Sequence, residues 1–184
     1  MFLKKYTYIF VFLLISGTGI SQNLFVVTEG SVKFTSDAPL EMIQADTEDI
    51  QGVLKPAERS FAFRVKMSTF RGFNSSLQRT HFNENYLETE KYPYTIFEGK
   101  IIEDVSLYSP GNYNVRGKGS FICHGEERER IIKSKMDVKP DKISITTEFT
   151  VLLADHNIKI PSVVSQKLAE EVAVHVEMVL KPKQ

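Results

Sequence analysis

Tryptophan is absent from this 184-residue chain, and cysteine occurs once, as Cys123. A single thiol leaves no partner for an intramolecular disulfide and excludes a zinc centre built on cysteines. Net charge of either sign is missing too, since 23 basic residues balance 23 acidic ones. That removes the broad positive field by which nucleic-acid binders attract their partner. Signatures of common enzymes are also lacking. There is no Gly-x-Ser-x-Gly elbow, no phosphate loop and no Gly-x-Gly-x-x-Gly fingerprint. No internal repeat and no low-complexity stretch is found.

What the chain has in quantity is phenylalanine, 13 residues, with 7 tyrosines. These aromatics and the β-branched residues fall in alternating runs. Phe61, Phe63, Val65 and Met67 alternate with Ala62, Arg64 and Lys66. A period of two describes a strand with one dry and one wet face. The same pattern recurs at Thr95–Ile101, Tyr113–Cys123, Glu127–Val138, Ile143–Val151 and Val172–Leu180. Earlier, Phe25–Val27 and Ser31–Thr35 read as two short strands around a Glu29-Gly30 turn. Leu40–Ala45 and Ile50–Leu54 read as two more. Ser109-Pro110-Gly111-Asn112 and His124-Gly125-Glu126 are turn signals. Two segments break the pattern. Ser75–Asn83 has partial helical spacing, followed by irregular chain to Tyr92, and Ser162–Glu171 reads as a second short helix.

The N-terminus has a different texture. Lys4-Lys5 precede the apolar run Tyr8–Ile15, and Ser16–Ser21 is small and polar. This is the layout of a cleavable secretory signal, and its apolar core is shorter than the roughly 20 residues a bilayer span needs. Cleavage after Ser21 is expected, leaving a single domain over 22–184 in the periplasm or outside the cell. Gln22, and not a cysteine that could take a lipid, stands directly after the expected cleavage site.

Eight or nine long antiparallel strands, with glycines 117 and 119 on a dry face, favour an all-β barrel over a sandwich. An eight-stranded barrel has an interior that side chains just fill or that one slim ligand occupies. Periodicity places Phe61, Phe63, Val65, Met67, Tyr113, Val115, Ile145 and Phe149 inside, where their chemistry is nonspecific apolar contact.

The order His81-Phe82-Asn83-Glu84-Asn85-Tyr86-Leu87, Lys91-Tyr92-Pro93, Phe97 and Gly119-Ser120-Phe121-Ile122-Cys123-His124-Gly125 resembles the YceI-like family of exported bacterial lipid-binding proteins. Asp155–Ala173 fits as well. The resemblance implies a lipocalin-like extended antiparallel eight-stranded barrel with one or two short helices and a long apolar tunnel. It also implies polyisoprenoids or similar amphiphilic lipids as ligands, and no enzymatic activity. It adds Phe97, Phe121 and Cys123 to the tunnel wall. Two features depart from the family pattern: Thr80-His81-Phe82 stands where aspartate-histidine-leucine is usual, and the basic residue after the histidine-glycine pair comes late, at Arg128. Both bear on the ligand head group rather than on the fold.

The segment 74–92 is then the expected wall or gate at the mouth, with His81, Phe82 and Tyr86 as gate residues. His81 and Glu84 sit three apart and offer at most a partial metal site, because Glu88, one turn further on, lies beyond the expected helix and no other strong ligand stands near; neither metal nor cofactor is expected. His124 is expected to serve turn bonding at a strand end. His156, in a polar loop, and His175, on a wet face, receive no role. The expected partner is a long-chain lipid or isoprenoid, with no nucleic acid and no membrane anchor after cleavage; a homodimer is left open. Two other readings stand beside this one. One is a stress-related exported barrel with a filled core that acts through its surface. The other is an enzyme at the barrel mouth using His81 or His124.

Overall fold

The computed structural model describes residues 24–183. The expected signal segment and cleavage point at Ser21 lie outside the described residues. Nine strands follow in chain order: β1 Phe25–Ala38, β2 Glu41–Thr47, β3 Ile50–Lys55, β4 Ser60–Lys66, β5 Tyr94–Ile101, β6 Gly111–Cys123, β7 Glu126–Val138, β8 Ile143–Leu152 and β9 Glu171–Pro182. Each neighbouring pair is antiparallel. β1 closes the barrel by pairing along β9, from Phe25 opposite Pro182 to Thr35 opposite Ala173. Its other edge is shared, with β2 on Val32–Ala38 and β3 on Phe25–Val26. β2 and β3 thus form one broken wall strand, and the barrel has eight positions.

Three expectations change here. The two strands around Glu29-Gly30 are one strand, whose register with β9 shifts between Val27 and Glu29. A β-bulge absorbs the extra residue and bends the strand while the ladder continues, so no turn is needed. The helix expected at Ser162–Glu171 is only a 3-10 turn, Ser162–Val164, and Glu171 already belongs to β9. Pro161 fixes the entry, and the adjacent β-branched Val163 and Val164 do not favour longer helix. The segment 76–86 is more regular than expected. Ser75 caps a short helix α1, Ser76–His81, by accepting from Gln78 N at 3.2 Å, and a π turn, Phe82–Tyr86, follows it directly.

Two local features tighten the barrel. Cys123 and Glu126 are paired across a two-residue loop, with φ 51° at His124 and 77° at Gly125. Positive φ at both loop positions is the hairpin geometry that matches strand twist. Halfway along the wall, Gly99 lies opposite Gly119. A Cβ on Gly119 would collide with the Glu98 carbonyl, so the backbones approach more closely than any side chain allows.

The two ends of the barrel differ. At the end carrying the 55–60, 102–110 and 139–142 connections, Leu107, Ile143 and Leu180 are almost wholly inaccessible, and Phe25 and Val138 are buried beside them. Arg116 Nε donates to Glu103 Oε1 at 2.7 Å there, which holds the Glu103 carboxyl below its ordinary range, and Arg59 pairs with Asp104. At the opposite end, the β1–β2 hairpin, the 67–93 segment, the β6–β7 hairpin and the 153–170 segment meet over the interior.

Candidate functional site: an apolar chamber in the barrel

Inward-facing side chains leave a cavity of about 230 Å³. No charged side chain lines it among the described residues. The strand alternation explains this directly, because each strand sends every second residue inward. Phe61, Phe63, Val65 and Met67 line it from β4 and the turn after it; Phe97 lines it from β5. Val115, Phe121 and Cys123 line it from β6, and Ile145 and Phe149 from β8. Gly117 faces the Phe61 and Phe97 rings, which a Cβ there would meet at 3.0 and 3.4 Å.

Tyr113 is placed elsewhere. It shares the inward parity of β6 but sits at the packed end, where its hydroxyl donates to Ser109 O at 2.8 Å. The strand outruns the chamber, so parity alone misassigns it. Among the expected gate residues, Phe82 and Tyr86 line the cavity and His81 does not. The π turn accounts for this. Leu87 N donates to Phe82 O at 2.9 Å, a five-residue spacing that brings Tyr86 and Leu87 together beneath Phe82.

The phenylalanines form two groups. Phe61, Phe63, Phe97, Phe121 and Phe149 make a chain of ring contacts down the wall. Phe34, Phe70, Phe73 and Phe82 make a second cluster that fastens the 67–93 segment over the chamber, with Phe34 and Phe82 stacked at 5.5 Å. Phe34, Phe70, Leu153, Ile158 and Leu168 all line the cavity, and sequence reasoning missed them. Phe70, Leu153, Ile158 and Leu168 lie outside strands, where period-two alternation gives no signal, and Phe34 lies on the bulged strand β1, which the sequence splits into two short strands.

Few polar atoms face this space. Ser36 Oγ accepts from Ala169 N at 2.9 Å. Thr147 donates to Lys133 O at 2.7 Å. Thr95 Oγ1 is buried without a hydrogen-bond partner, close to Cys123. Burial pushes the Cys123 thiol up, which the nearby Thr95 hydroxyl partly opposes. It is an inert, protonated wall residue rather than a nucleophile.

The histidines behave differently from one another. His124 Nδ1 donates to His156 O at 2.9 Å, and His124 Nε2 is 2.7 Å from Glu88 Oε2. Tyr92 packs edge-on against the same ring at 4.7 Å. His124 therefore ties the β6–β7 hairpin to the 67–93 segment and to the 153–161 segment. His156, given no role in a polar loop, is fully buried instead. It packs edge-on against Phe121 at 5.4 Å, donates from Nδ1 to Glu126 O at 3.3 Å and leaves Nε2 unpartnered. Desolvation pushes its pKa down, against the pull of the Glu126 and Cys123 carbonyls. His175 lies on the outer wall between Glu148 and Glu177, at 3.0 and 3.2 Å.

Comparison with known proteins agrees with this architecture. The model of the YceI-like domain family matches residues 25–180. A solved polyisoprenoid-binding domain from Saccharophagus degradans, implicated in plant cell wall breakdown, superposes with a TM-score of 0.70 at 9% identity, covering 88% of this chain and 99% of that one. BcnA of Burkholderia cenocepacia gives 0.65 at 14% identity, over 82% and 95% of the two chains. The YCEI protein of Campylobacter jejuni gives 0.58 at 13%, over 99% and 100%. At these identities the structures share the fold. No curated protein sequence matches this chain.

Proposed function

The chain belongs to the YceI-like domain family, and on that premise we propose that it holds the apolar part of one long-chain amphiphile, a polyisoprenoid or similar lipid, inside the barrel. One observation carries the reading. A barrel closed by the β1–β9 ladder, whose far end is tightly packed, keeps about 230 Å³ of uncharged space under a segment tied down by aromatic and histidine contacts. Interiors normally close such voids, because empty space forfeits dispersion and burial energy. Each methylene moved from water into this chamber contributes about 0.8 kcal/mol. Chain length and fit, rather than polar recognition, then set affinity.

The protein acts as a binder and not as an enzyme in this reading. Both His124 nitrogens are engaged in tying segments together, and the Cys123 thiol is buried. The reading includes export, supported by Lys4-Lys5 and the apolar Tyr8–Ile15 run. Purified protein extracted with organic solvent should release one long-chain molecule per chain by mass spectrometry, and intact-mass analysis should place the mature N-terminus at Gln22. A preparation that carries no such molecule, and takes up no farnesol or longer polyprenol from detergent, would overturn the binding reading.

A further inference from the structure

Besides Leu152 at the end of β8, 39% exposed, four large apolar side chains stand exposed at the chamber end of the barrel: Leu40 at 65%, Met42 at 55%, Leu77 at 60% and Val163 at 86%. They come from three segments in direct contact. Leu40 N donates to Gln166 O at 2.9 Å, which joins the β1–β2 hairpin to the turn bearing Val163. On the other side, Gln78 Nε2 donates to Glu41 Oε1 at 2.6 Å and Asn74 Nδ2 to Met42 O at 3.0 Å, which joins the hairpin to α1. The same three segments send Ser36, Phe82 and Leu168 inward to line the chamber. Phe82 and Leu168 thus line the chamber from two of the segments that carry apolar side chains on the outer rim. The packed end also exposes Ile102 and Tyr108, but Leu107, Ile143 and Leu180 separate them from the cavity.

The surroundings of the rim select its partner. Arg71, Arg79, Lys159 and Lys167 stand at this end with Asp37, Glu84, Asp155 and Glu170, all exposed. Among the described residues none of the eight belongs to an ion pair. A collar of both signs complements head groups that carry both signs, and gives no Coulombic preference for an acidic or a basic protein.

We propose that this rim docks the protein on the surface of a zwitterionic phospholipid bilayer, with the chamber end facing the membrane. The inference rests on the reading that the chamber takes a lipid chain. It deepens that reading by supplying a route on which the chain stays in apolar surroundings between bilayer and barrel. Leu40, Met42, Leu77 and Val163 enter the head-group region, and the mixed charges sit among the head groups.

The test is co-sedimentation of the exported, purified protein with phosphatidylcholine vesicles. Binding is expected, nearly independent of salt and without anionic lipid. The double variant Leu77→Ser/Val163→Ser should reduce it about tenfold or more through the lost apolar contact. Both positions are exposed, so thermal unfolding should stay as in the parent. Ile102→Ser/Tyr108→Ser at the packed end should bind vesicles like the parent. Transfer of a fluorescent polyprenol from vesicles to the protein should slow in the rim variant, while uptake of the same probe from detergent stays unchanged. Equal vesicle binding by rim variant and parent overturns the proposal. So does binding that requires anionic lipid or collapses with salt, and so does a rim-dependent dimer seen by sedimentation in place of vesicle binding. If the chamber reading fails instead, uptake from detergent is lost in the parent itself, whatever the vesicles show.

Discussion

The two ends of this barrel are built from the same alternating strands and reach opposite outcomes. At one end Leu107, Ile143 and Leu180 close the interior so completely that almost no surface remains accessible. At the other, Phe121, Phe149 and Val172 still face inward from the strands, and irregular segments finish the enclosure with Phe82, Tyr86, Leu87, Leu153 and Leu168. At the packed end Ile143 and Leu180 are ladder partners, and Leu107 joins them from the 102–110 connection. The chamber end is assembled from pieces distant in sequence, joined by Phe34–Phe82 stacking and the Glu88–His124–His156 bonds. Strand packing stabilises the protein, and incomplete packing under a fastened cover creates room for a guest.

The largest expected effect comes from matched truncations at the two ends. Leu180→Ala should cost about 2–5 kcal/mol, since it opens a void in a filled region. Leu168→Ala, beside space already empty, should cost about 1 kcal/mol or less. Urea unfolding measures both, and equal losses would erase the distinction between the ends. Next comes Gly119→Ala at the wall between them. Its Cβ has nowhere to go against the Glu98 carbonyl, and a loss of about 1–3 kcal/mol is expected by thermal unfolding. A neutral result would show that the wall there is looser than its close backbone approach implies.

A smaller effect is confined to acid and to the chamber end. Burial lowers the His156 pKa below its ordinary 6.5, so the folded protein binds fewer protons than the unfolded chain. Stability is then fully present above pH 6.5 and declines as pH falls below it. His156→Phe should remove that part of the acid sensitivity while keeping the packing on Phe121. Melting temperatures followed across this range give the answer, and an unchanged acid slope would exclude His156 as its source. The smallest effect expected is that of Glu88→Gln, about 0.5–1 kcal/mol, because the carboxylate is partly exposed. Hydrogen exchange should speed up in residues 82–92 and leave the packed end untouched. Faster exchange at both ends would mean that the cover and the barrel floor open as one unit.

Much of the wall was legible from alternation alone. The inward positions of β4, β5, β6, β8 and β9 follow from parity because a strand turns its side chains by a fixed period. The exceptions share a cause. Tyr113 has the right parity at the wrong height, and parity carries no information about depth. Phe34 follows a bulge that joins two strands read as separate. His156 looked solvated because its neighbours Asp155 and Asn157 are polar, yet a 3-10 turn rotates it inward onto Phe121. His124 was assigned to turn bonding, and its role in joining three segments depends on Glu88 and His156, 36 and 32 residues away.

By itself the sequence determined an all-β chain with one dry face per strand, an uncharged interior and a capped polar segment after β4, since these depend on local period and composition. Tertiary structure alone decided that the dry faces enclose a chamber at one end and a solid core at the other. Height along the barrel, closure of β1 on β9 and the meeting of segments over the mouth arise from contacts between residues far apart in the chain, which no local pattern encodes.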